Sequence, residues 1–188
     1  MTNSQLGKVV AAMQEPFPVL THLELRASMD EPDVLVLPRF LGGSAPCLQQ
    51  VHLSGIPFPE LPTLLLLSCD LVSLQLESIP PTGYISPEAM VAGLAVLTRL
   101  KTFRIRFRYR ISPPEQRTRH PYPLMRAVLP VLTEFEFRGR SEYLEDLVAQ
   151  LDTPRLDDVW TIFDRLDSLR LPQLSLFIVH RSHRDSQV

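Results

Sequence analysis

The sequence predicts an α/β solenoid, with parallel strands on a concave face and helices and turns on a convex face. Three observations predict it. A leucine followed by apolar residues three and five positions later recurs along the chain, the apolar period between copies shifts from two to 3.6, and the strands alternate apolar with polar residues. Strands joined by helical returns run parallel, with right-handed crossovers. A parallel sheet covered on both faces would read as continuous apolar runs, so the alternation implies one buried and one wet face. A curved leucine-rich-repeat-like solenoid, one domain over residues 1–188, meets both conditions, because neighbouring units bury together a core that none buries alone.

The copies are LTHLEL from Leu20, LQQVHL from Leu48, LVSLQL from Leu71, LKTFRI from Leu100, LTEFEF from Leu132 and a weaker LDDVWT from Leu156. Their first leucines lie 28, 23, 29, 32 and 24 residues apart, close to the usual repeat length of roughly 20–29. Leu6, Val9, Val10 and Met13 form a helical stripe ahead of the first strand, and the segments Leu61 to Leu67 and Leu124 to Leu129 read as short apolar turns. Ser86-Pro87-Glu88 is an N-cap, a proline at the first helical position and a first-turn acid, opening a helix with Met90, Val91, Leu94 and Leu97 inward. Ser141 is expected to cap a helix whose Leu144, Leu147, Val148 and Leu151 share a face. In the longest interval, Ile111 to Pro123 reads as a proline-broken loop that carries Arg117, Arg119 and His120.

A formal charge of −2 gives no global reason for nucleic acid or an anionic membrane as partner. The first residues lack the apolar run of a signal peptide, and the longest apolar run, Leu64 to Leu67, is far too short to span a bilayer. Cys47 and Cys69 lack metal-ligand spacing, so reduced thiols in a cytoplasmic or nuclear protein are expected. The 18 prolines are spread along the chain, as punctuation between many short elements.

Charge concentrates in KTFRIRFRYRI, Lys101 to Ile111, where Arg104, Arg106, Arg108 and Arg110 share one strand face and Phe103, Ile105, Phe107, Tyr109 and Ile111 the other. Aligning the copies gives one outward column of Glu24, His52, Gln75, Arg104, Glu136 and Trp160, and a second of Arg26, Ser54, Glu77, Arg106, Arg138 and Ile162. The arginines are thus one rung of a ladder, with acids expected beside them. Trp160 and Ile162 stand where polar residues belong, and an outward Trp beside Arg is the composition of an interface hot spot. The alternative for Trp160 is that Asp164 to Leu171 folds back over it. The candidate partner-binding residues are therefore His52, Arg104, Arg106, Arg108, Glu136, Trp160 and Ile162, facing an unknown target protein. A binder of anions or nucleic acid through Arg104 to Arg110 is the competing reading.

Nothing in the sequence signals catalysis, a cofactor or a metal. His180 and His183 are three apart without a third ligand, neither cysteine has a nucleophile context, and no phosphate-cradling glycine loop is present. Asp157 and Asp158, adjacent on a strand, point to opposite faces and cannot pair.

The stretches from Phe40 to Met90, ending in GYISPEAM, and from Val128 to Phe163, with SEYLEDLVAQ, resemble the repeat region of the fungal F-box proteins with degenerate leucine-rich repeats. The resemblance implies the target-recognition part of a cullin-type ubiquitin-ligase subunit, in which an F-box ahead of the repeats docks on the ligase adaptor. No LP-x-E-type F-box phrase precedes Leu20, so adaptor binding is expected only with an F-box upstream, and a free-standing repeat scaffold is the alternative. Ser28, Ile56, Ile79, Arg108 and Arg140 occupy the place of the repeat asparagine, and an irregular solenoid is expected.

Overall fold

Six leucines close six turns. In the computed structural model, which describes residues 3–28, 40–43, 45–57, 65, 68–108, 126–165 and 171–182, the N–H of Leu20, Leu48, Leu71, Leu100, Leu132 and Leu156 each donates to the carbonyl three residues earlier, at 3.1–3.3 Å. Pro18, Pro46, Pro130 and Pro154 take the second position of four of these turns, where the fixed φ of proline matches the turn. Two residues past each leucine a strand begins: β1 (His22–Arg26), β2 (Gln50–Ser54), β3 (Ser73–Ile79), β4 (Thr102–Phe107), then β6 (Glu134–Arg140) and β8 (Asp158–Arg165). The two-residue strands β5 (Ala127–Val128) and β7 (Leu151–Asp152) fall between these and pair with each other in parallel.

The six longer strands form one parallel sheet in chain order, β1-β2-β3-β4-β6-β8. At the start of each pairing a single carbonyl accepts two N–H groups of the next strand, at 2.8–3.2 Å: Thr21 from Gln49 and Gln50, Gln49 from Val72 and Ser73, and likewise Val72, Lys101 and Thr133. The turn and this double bond recur together, so every strand enters the sheet in the same register. The pairing slips after these starts at two places: between β3 and β4 after Leu76, where Ser78 adopts φ 51° and bulges the strand, and between β6 and β8 after Gly139.

Among the described residues the sheet is accompanied by the α-helices α1 (Asn3–Ala12), α2 (Pro87–Leu94), α3 (Ser141–Val148) and α4 (Pro172–Ser182). Leu74, Phe103, Phe135 and Phe137 from the strands join Met90, Leu94, Leu144 and Leu147 from the helices in one core. Each such side chain contributes roughly 1.5–3 kcal/mol by leaving water. Tyr143 of α3 stands edge-on to Phe107 at 4.7 Å and stacked on Phe137 at 5.9 Å, which ties the helix to β4 and β6.

Ser86 caps α2 as the sequence predicts, its hydroxyl accepting from the Ala89 N–H at 3.2 Å. At α3 the expectation fails. Arg140 ends β6 and takes the N-cap place, so Ser141 becomes the first helical residue, buried, with its hydroxyl toward Glu142. The strand runs into the helix without the turn that a serine cap needs. On α1 Leu6 is buried but Val9 is exposed, which narrows the predicted stripe. Of the Leu61 to Leu67 turn only Leu65, which is buried, is described, and the expected turn at Leu124 to Leu129 is in its described part the strand β5. The end of the arginine stretch from Tyr109, the loop Ile111 to Pro123 and His183 lie outside the described residues.

Candidate functional site

Both predicted columns exist. Glu24, His52, Gln75, Arg104, Glu136 and Trp160 are successive ladder partners across the sheet. In the second column Arg26 pairs with Ser54, Ser54 with Glu77, Arg106 with Arg138, and Arg138 with Ile162. The step from Glu77 to Arg106 is interrupted by the bulge at Ser78, yet Arg106 Nη1 still reaches Glu77 Oε1 at 3.2 Å. Since β-strand side chains alternate, this face is opposite the buried one and takes no part in the core.

The arginines on it are neutralised. Arg106 Nε donates to Glu136 Oε1 at 2.7 Å, Arg104 Nε lies 3.6 Å from Glu136 Oε2, and Arg104 Nη2 lies 3.7 Å from Glu134 Oε2. Glu77 also approaches His52 Nε2 at 3.4 Å. Two guanidinium groups therefore face three carboxylates, and among the described residues Arg104 and Arg106 form no uncompensated basic patch. Beyond it, Arg138 Nε lies 3.5 Å from Asp164 and Arg140 Nε 3.5 Å from Glu142. Arg108 is half-buried and directed toward β2, since a Cβ on Gly55 would sit 3.6 Å from its Nη2.

Charge gives way to apolar surface at β8. Trp160 is 70% exposed and Ile162 48%, next to Glu136 and Arg138 in the ladder. The fold-back expected over Trp160 runs through residues 166–170, outside the described residues. Of the seven candidates the ladder thus brings His52, Arg104, Glu136 and Trp160 into one row, with Arg106 and Ile162 in the next and the Arg108 guanidinium near Gly55.

The sequence columns missed Glu134 and Asp164 as ion-pair partners. Each lies two residues along its strand from a candidate, Glu134 from Glu136 and Asp164 from Ile162, and that same-face spacing is the signal that identifies them. Elsewhere, a cavity of about 100 Å³ lies between α3, β7 and α4, with Arg126, Asp152, Thr153 and Gln173 as its polar lining. Among the described residues no three His, Cys, Asp or Glu side chains are grouped to hold a metal ion, and no helix is long and apolar enough to cross a membrane. No family model, curated protein or solved structure matches the chain.

Proposed function

We propose that this chain is a protein-interaction module: a leucine-rich-repeat-like solenoid whose outward sheet face binds a partner protein near β8. The observation that carries the reading is Trp160, exposed on a strand face where the five preceding strands place polar or charged residues, with Ile162 beside it. Aromatic anchors surrounded by polar contacts supply most of the binding energy at protein interfaces. The recurrent turn, strand and parallel register support the repeat architecture, because each unit is completed by the next. The compensated arginines argue against the anion or nucleic-acid reading, since a phosphate binder needs cations without carboxylates beside them.

The resemblance of GYISPEAM and SEYLEDLVAQ to F-box repeat regions supports the narrower role of target recognition in a ubiquitin ligase of the cytoplasm or nucleus. Capture from native cells tests both levels. A partner retained by the wild-type chain and by Val19→Ala, but lost with Trp160→Ala at unchanged melting temperature, supports the module. If Trp160→Ala retains every partner, the reading fails. Ligase adaptor recovered with the full native product supports the narrower role, and its absence leaves a free-standing scaffold.

A further inference from the structure

Among the described residues β8 is the last strand of the sheet. Its Asp158 N–H donates to Thr133 O on the β6 side at 2.9 Å. In a parallel ladder alternate residues direct both N–H and C=O to the same neighbour. Asp158, Trp160 and Ile162 therefore spend their backbone groups on β6, while Val159, Thr161 and Phe163 direct theirs to the open side. Among the described residues nothing pairs with that side. Unpaired backbone of this kind is a template for another strand.

The side chains along the edge restrict what can be added. On the wet face β8 presents Asp158, Trp160, Ile162 and Asp164 in order. Asp158 is exposed, has no ion pair among the described residues, and has the like-charged Glu134 as its ladder partner. The other acid, Asp164, has a mostly buried side chain, lies 3.5 Å from Arg138 and follows Phe163, where the pairing with β6 shifts register. A second copy pairing antiparallel through this edge would set Asp158 against Asp164 at both ends, with carboxylates opposed. A strand reading basic, apolar, apolar, basic on that face would instead set a cation against each acid and apolar side chains against Trp160 and Ile162. Either basic residue would also lie near the Trp160 ring, which attracts cations over its face.

We infer that the open edge of β8 takes an extended segment of a partner protein as an added strand, one with basic residues opposite Asp158 and Asp164 and apolar residues opposite Trp160 and Ile162. This deepens the interaction-module reading and rests on it. The edge sequence is symmetric in character, so one probe serves both strand directions: the synthetic peptide Arg-Thr-Val-Thr-Val-Thr-Arg. Trp160 is the sole tryptophan of the chain, and its fluorescence reports the titration directly.

The expected result is saturable binding that weakens by roughly tenfold or more with the peptide Glu-Thr-Val-Thr-Val-Thr-Glu. Amide exchange should slow at Val159, Thr161 and Phe163, and Thr161→Pro should abolish binding while the melting temperature holds, because an edge N–H facing solvent is dispensable to the fold. Binding without protection of those amides, or equal binding of the acidic peptide, overturns the edge proposal. Protection that rises with protein concentration in the absence of peptide also overturns it, in favour of a second copy. Capture of a native partner that depends on Trp160 but survives Thr161→Pro sinks the added strand and leaves the interaction module standing.

Discussion

The ring of Phe107 fills the space that a side chain at Gly139 would need. A Cβ on Gly139 would meet Phe107 Cδ2 at 2.8 Å and Phe137 Cζ at 3.0 Å. Phe107 cannot yield easily, since Tyr84, Phe137 and Tyr143 surround it. Gly139→Ala should therefore destabilise the fold by about 1–3 kcal/mol, read from chemical denaturation, despite the better strand propensity of alanine. An unchanged midpoint would show that the aromatic cluster repacks freely.

Helix α4 is held at its start by a residue from another helix. The Glu145 carboxylate accepts from the Gln173 and Leu174 N–H groups, both at 2.9 Å, and so serves as a cap supplied from α3. Glu145→Gln keeps the shape but removes the charge and one acceptor. The expected cost is about 1–2 kcal/mol, seen as faster amide exchange in α4 with little change in β3 and β4.

Tyr143 is a titratable group buried in the core. Burial pushes its hydroxyl well above the ordinary tyrosine value near 10, and nearby Tyr84 and Glu88 add to the rise. The folded state thus resists ionisation that the unfolded chain undergoes. Stability is fully present below about pH 10 and falls as pH rises from there toward the folded value. Tyr143→Phe should flatten that alkaline decline. Among the described residues the hydroxyl has no hydrogen-bond partner, so at neutral pH the same change should be neutral or stabilising by about 1 kcal/mol. A clear loss at neutral pH would reveal a bonded hydroxyl.

Arg106 bridges two carboxylates, Glu77 and Glu136, from strands on either side. It is about one-third exposed, so solvent screens the pairs. Arg106→Gln should cost about 0.5–1 kcal/mol at low salt and progressively less as ionic strength approaches about 1 M. A loss independent of salt would assign the stabilisation to packing of the arginine stem.

The strands were legible because leucine spacing and alternation act within a few residues. Leu100, Phe103 and Ile105 announce β4 without any distant contact, and the ladder from Glu24 to Trp160 follows once each copy is aligned on its leucine. The prolines two residues ahead of Leu20, Leu48, Leu132 and Leu156 carried the turn as well, although their recurrence stands out only against the structure. What short-range pattern does not contain is tertiary choice. Whether Ser141 caps a helix depends on where β6 ends, the pairing of β5 with β7 joins segments separated in sequence by β6 and α3, and the compensation of the arginines at the sheet centre depends on which acids they reach.

The coupling of turn to strand start sets where the chain accepts changes in length. Intervals between leucines range from 23 to 32 residues, yet each strand begins two residues after its leucine. Length therefore varies on the return path, and a residue inserted there leaves the next strand's phase intact. A single residue inserted between Leu100 and Thr102 would invert β4, turning Phe103 and Ile105 to water and Arg104 and Arg106 into the core.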